Sequence, residues 1–147
     1  MKKQREEQWR NTWKTSLRRK KLKKIKKDVL FKKYSKLTNE LTRRQSSILI
    51  QICTGHFPLN DYLFKQKLVN SPLCNACNQN QRETLDHLIM DCPTYCTQHI
   101  TLKKAIARRG LGDLPALLSN PKCAKSIVNF IQATGRWTTG RMTNGNP

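Results

Sequence analysis

A chain of 147 residues with 29 Lys and Arg against 9 Asp and Glu carries a formal net charge of +20, far above the magnitude of about 2–8 expected for a small domain. Its apolar fraction of 37% lies below the usual ~45–50%, so part of the chain builds no core and the surplus charge calls for a polyanion or a neighbouring domain. No stretch approaches the roughly 18 apolar residues that would span a bilayer, and the start MKKQREEQWR is charged where an export signal needs an apolar run; membrane insertion and secretion are disfavoured, and an intracellular, preferably nuclear, location is expected.

In chain order, residues 1–44 hold 18 Lys and Arg against 4 Asp and Glu, or +14, leaving 11 against 5, or +6, for residues 45–147. The densest block, RRKKLKKIKK, contributes Arg18, Arg19, Lys20, Lys21, Lys23, Lys24, Lys26 and Lys27. Such a run repels itself and buries little apolar area, so it suits phosphate contact better than a core. Trp9, Trp13 and Leu17 recur at helical spacing, and Leu22, Ile25 and Val29 form a second set. The five-residue step between the sets rotates the stripe by about 140°, so the two do not make one face. The tryptophans either dock a basic helix on the remainder of the chain or, with Tyr34, stack on unpaired bases.

From Leu41 the pattern becomes that of a compact helical module. In LTRRQSSILIQICTG, Ile48, Leu49, Ile52 and Cys53 share one side, Thr42 can cap the start, and Gly55 follows the end. Arg43 and Arg44 in its first turn extend the set of candidate nucleic-acid contacts. Asn60 is placed to cap a short helix carrying Tyr62, Leu63, Phe64 and Leu68. SPLCNACNQNQ is rich in turn formers and reads as a loop. RETLDHLIMD resumes a helix on Leu85, Leu88 and Ile89, which Pro93 breaks near Cys92. A helix from Thr94 to Arg109 carries Ile100, Leu102 and Ile106 and ends at Gly110. Asn120-Pro121, a cap followed by proline at the first helical position, starts a helix with Ile127, Val128, Phe130 and Ile131 that stops at Gly135.

With no extended alternation, the expected fold is all-α: a small helical bundle with a zinc-knuckle-like loop, preceded by a basic helix or flexible segment. Residues 1–40 form the basic, partly helical nucleic-acid-contacting or linker segment, 41–135 the helical zinc-binding module, and 136–147 a disordered tail.

Six cysteines without an export signal meet a reducing compartment, where thiols stay free or bind metal; as disulfides they would allow fifteen pairings. Cys74-x2-Cys77-x9-His87-x4-Cys92 supplies four soft and borderline donors for a closed Zn²⁺ shell. Positions 87 and 92 would point about 140° apart on a continuous helix, so the helix carrying His87 must distort or end before Cys92. Cys53, Cys96 and Cys123 read as core thiols, yet Cys53-x2-His56 and Cys96-x2-His99 have ligand spacing, and one of these four residues could replace a member of the main set. The alternative for the main set is buried free thiols and a satisfied core imidazole.

Catalysis finds little support. Beyond residue 44 the acids are Asp61, Glu83, Asp86, Asp91 and Asp113, too few and too dispersed for two-metal chemistry. Glu83, Asp86 and Asp91 flank the ligands, where orienting His87 is the simple role; Glu83 could instead be a general base beside a catalytic zinc. Four protein ligands leave no open metal position, so the chain is expected not to be an enzyme.

LTRRQSSILIQICTGHFPLNDYLFKQKL followed by SPLCNACNQNQRETLDHLIMDCPTY resembles the C-terminal region of fungal non-long-terminal-repeat (LINE-like) retrotransposon polyproteins, downstream of their reverse transcriptase and ribonuclease H domains. The shared pattern is R-R-Q, an apolar helix ending in T-G-H, then P-L-N, C-x2-C, E-T, His and C-P-x-Y. EEQWRNTWKTS also looks like the segment that leaves the ribonuclease H domain. The resemblance implies zinc ligands at Cys74, Cys77, His87 and Cys92, and a role beside the reverse transcriptase in handling template RNA or target DNA. No segment matches the polymerase's paired aspartates or the acidic ribonuclease H site, so under this resemblance the chain is expected to be a terminal fragment or separately encoded remnant.

The expected function is therefore a non-catalytic, zinc-stabilised module that binds RNA or DNA without sequence specificity, with the upstream enzymatic domains as further partners. The alternative is a structural or protein-interaction helical module with a structural zinc and no direct nucleic-acid role.

Overall fold

The computed structural model describes residues 2–17, 31–106 and 114–136, with the side chains of residues 2 and 31–34 excepted. Arg18, Arg19, Lys20, Lys21, Lys23, Lys24, Lys26 and Lys27, the apolar set Leu22, Ile25 and Val29, the expected helix end at Gly110 and the tail beyond Arg136 lie outside the described residues, as does the side chain of Tyr34.

The fold is all-α. Helix α1 spans Lys2–Thr15 and α2 spans Phe31–Thr38. Trp9 on α1 is exposed and Trp13 half-buried, while Leu17 stands beyond the helix end and is exposed. Helix α3, Arg43–Thr54, starts where the sequence places a cap. Thr42 Oγ1 accepts from Gln45 N at 3.2 Å while Gln45 Oε1 accepts from Thr42 N at 3.0 Å, so two of the orphan amides of the first turn are satisfied reciprocally. Gly55 ends the helix at φ 77°, a left-handed conformation in which any Cβ would be strained. The buried face is Ile48, Leu49, Ile52 and Cys53, as expected.

Helix α4, Asn60–Lys65, departs from expectation. Leu59 occupies the cap position, and the Asn60 side chain turns inward to donate to Leu73 O at 2.7 Å. The helix stops before Leu68, which is exposed. Asp61 pins this helix to the following loop: Lys65 Nζ lies 2.6 Å from Oδ2 and Arg82 Nε 2.6 Å from Oδ1. Burial raises the Asp61 carboxyl, but the two cations outweigh it and hold the group below its ordinary value.

After a π-helical turn at His87–Asp91 and a 3₁₀ turn at Pro93–Tyr95 comes α5, Cys96–Ile106. Leu102 and Ile106 are buried, whereas Ile100 is 49% exposed and His99 takes the inward position. A short helix that the sequence reading omits, α6 at Leu114–Ser119, buries Leu114, Leu117 and Leu118. Helix α7, Pro121–Ala133, begins as expected: Asn120 Oδ1 accepts from Lys122 N at 3.1 Å and Cys123 N at 3.3 Å.

Helix α7 is the hub, because α2, α3, α5 and α6 all pack on it. Its Ala124, Ile127, Val128 and Ile131 are fully enclosed, each larger side chain stabilising the fold by about 1.5–3 kcal/mol through removal from water. Gln45 Nε2 reinforces the α3–α7 contact by donating to Asn129 Oδ1 at 3.1 Å and Gln132 Oε1 at 3.2 Å. Among the described residues there is no strand, only an isolated antiparallel bridge between Leu73 and Arg82, and no helix is long and apolar enough to cross a membrane.

Candidate metal centre

The loop that holds the first two cysteines is closed by backbone pairing. Cys74 N donates to Gln81 O and Glu83 N to Pro72 O, both at 2.8 Å, on either side of the Leu73–Arg82 bridge. The return turn passes through Asn80 at φ 51°, a left-handed position that asparagine tolerates better than most residues. Cys74 and Cys77 are thereby presented from one end of a short, fixed loop, and both are buried.

His87 and Cys92 come from the following segment. Thr84 Oγ1 accepts from His87 N at 3.2 Å, and the turn then widens: Cys92 N donates to His87 O at 2.8 Å, a bond from residue i+5 to i that defines a π turn. The α-helical separation of about 140° between i and i+5 is thus removed by the distortion the spacing requires. Pro93 then redirects the chain, and Thr94 Oγ1 hydrogen-bonds Ala76 O in the cysteine loop.

These two pieces bring Cys74, Cys77, His87 and Cys92 together. Their donor atoms all lie within 4.8 Å of one another and all four residues are buried. Cys77 Sγ is 3.3 Å from His87 Nε2, and Cys74 Sγ is 3.9 Å from Cys92 Sγ. The latter is a contact between free thiols, since all six cysteines are unbridged. Three sulfurs and one imidazole nitrogen held this close together are a donor set that can hold a metal ion. Burial pushes the Cys74 thiol up to about 11, although the amides of Ala76 and Cys77 favour its thiolate; a bound cation reverses such a balance.

Glu83 is placed differently from the sequence expectation. It is fully buried, with Oε2 accepting from Asn60 N at 2.8 Å and pairing with Arg136 Nη2 at 2.5 Å. Its Oε1 lies 4.0 Å from Cys74 Sγ. It therefore does not orient His87, whose buried Nδ1 has no hydrogen-bond partner; Asp86 and Asp91 are exposed. Sequence reasoning could not find the Glu83–Arg136 pair, whose members stand 53 positions apart and share no local pattern.

The substitute ligands lie elsewhere. Cys53 and Cys123 are core thiols, but Cys96, expected in the core, is exposed. His56 is exposed and meets Tyr62 edge-on at 5.7 Å, while His99 Nε2 is 3.0 Å from Leu88 O. Among the described residues, Cys74, Cys77, His87 and Cys92 form the one group of donors arranged for a metal. Arg43 and Arg44 project from the first turn of α3 and are exposed. No family model, curated protein or solved structure matches the chain, so its functional reading rests on its own residues.

Proposed function

We propose that the chain is a non-catalytic, zinc-stabilised nucleic-acid-binding module from the C-terminal region of a LINE-like retrotransposon polyprotein. The observation that carries this reading is the closed, buried four-donor cluster in a chain of net charge +20. Zinc is the metal favoured by a Cys₃His set, and the 3.3 and 3.9 Å donor separations are near the roughly 3.8 Å edge of a tetrahedral shell with Zn–S of about 2.3 Å. Four protein donors leave no position for water or substrate, so the metal is structural.

Nucleic acid is the polyanion that suits the charge. Arg43 and Arg44 are exposed, as are Lys103 and Lys104 on α5, and the block from Arg18 to Lys27 adds eight cations within ten residues. The pair at the start of α3 opposes the helix dipole, so those exposed arginines add nothing to helix stability and are free to meet phosphate. The order R-R-Q, T-G-H, P-L-N, C-x2-C, His, C-P-x-Y supports the retroelement origin and a role in holding template RNA or target DNA.

Equilibrium binding of the zinc-loaded chain to a duplex DNA and a single-stranded RNA across a salt series tests the reading. Replacing Lys20, Lys21, Lys23 and Lys24 with Gln is expected to reduce the slope of log K against log salt on duplex DNA by up to about 3.6, near 0.9 for each phosphate that is no longer neutralised. An unchanged slope removes the role assigned to that block. Absence of any affinity at physiological salt leaves the structural or interaction module in its place.

A further inference from the structure

Resting on the zinc reading above, we infer that His99 is the positioning residue that holds His87 and Cys92 in ligating register, acting through the backbone carbonyl of Leu88. In an α-helix, the amide of Cys92 would serve the oxygen of Leu88 four residues earlier. Here that amide is donated to His87 O at 2.8 Å instead. The donor that a continued π register would offer Leu88 O is residue 93, which is a proline and has no N–H. The turn that aligns the two ligands thus strips Leu88 O of both its backbone donors, in a residue that is fully buried.

His99 supplies the missing donor. Its Nε2 lies 3.0 Å from Leu88 O, and because a carbonyl oxygen can only accept, Nε2 must carry the proton. The ring is itself buried and lies flat on Phe130 of α7, with centroids 5.2 Å apart and planes inclined by 8°; the stack contributes packing, while the hydrogen bond to Leu88 O directs Nε2. If the donor is removed, the buried carbonyl regains a partner most directly by recapturing Cys92 N, which returns the turn to α register and carries Cys92 away from His87. His99 is not among the four clustered donors; its effect on the metal passes through the π turn.

Co²⁺ and Zn²⁺ titration of the reduced full-length chain tests this, with His99→Leu, His99→Gln and Phe130→Leu beside the wild type. His99→Leu is expected to weaken zinc binding on the order of tenfold, the lower end of the effect of losing a ligand-orienting partner, and to alter the Co²⁺ visible absorption. His99→Gln retains an N–H donor and is expected to restore both largely. Phe130→Leu removes the stacking partner but not the donor; it is expected to lower the melting temperature while leaving the Co²⁺ spectrum unchanged. Three results overturn the inference while leaving the zinc reading intact: His99→Leu binding zinc as the wild type does, His99→Gln failing as badly as His99→Leu, or Phe130→Leu disturbing the Co²⁺ spectrum as much as His99→Leu. A wild-type chain that binds neither ion overturns both.

Discussion

Glu83 is a carboxylate removed entirely from water, a state that is tolerated only when its charge is met by donors. The Asn60 amide and the Arg136 guanidinium meet it, and through them one side chain ties the start of α4, the cysteine loop and the end of α7 together. Replacing it with Ala leaves a buried amide unserved and Arg136 without its partner. Glu83→Ala is expected to destabilise the zinc-loaded chain by about 3 kcal/mol, less than the upper range for a buried pair because Arg136 keeps some access to water. Urea denaturation followed by far-UV circular dichroism measures it; a loss below about 1 kcal/mol would show that the network does not hold the elements together. This residue also marks where sequence reading stops. Its flanking position suggested a partnership with His87, whereas burial gave it to residues 23 and 53 positions away.

At the scale of elements, what was legible is what is decided locally. Helices α3 and α7 start where Thr42 and Asn120 stand and α3 ends where Gly55 can turn left-handed, because caps depend on neighbours within four residues. Asn120→Ala is accordingly expected to cost about 1 kcal/mol, read as a lowered urea midpoint with unchanged slope; no shift would mean that Pro121 alone suffices to start the helix. The spacing of His87 and Cys92 likewise required a distortion, and the π turn is that distortion. What was not legible was decided by packing. Asn60 looked like a cap, but its side chain serves Leu73. Ile100 looked like core, but the face of α5 that meets α7 puts His99 inside and Ile100 outside. Helix α6 is six residues long, too short for a periodic signal to rise above a run of leucines.

Over the whole molecule, the metal donors and the apolar core are one structure. Cys74, Cys77 and Cys92 belong to the same buried cluster as Ile48, Leu88 and Ile131, so under the zinc reading proposed above coordination and core packing are expected to be coupled. A structural zinc contributes roughly 10–16 kcal/mol of apparent binding free energy at neutral pH, comparable with the entire ~5–15 kcal/mol stability of a small domain. The helical core is therefore expected to form with its metal. The most direct test is native mass spectrometry of the reduced, purified chain beside Cys77→Ser, each followed by far-UV circular dichroism. One tightly bound zinc in the wild type, absent from Cys77→Ser together with a loss of helicity, is the predicted result. A wild-type chain that carries no metal yet is folded, or whose mass shows disulfides, would contradict the account.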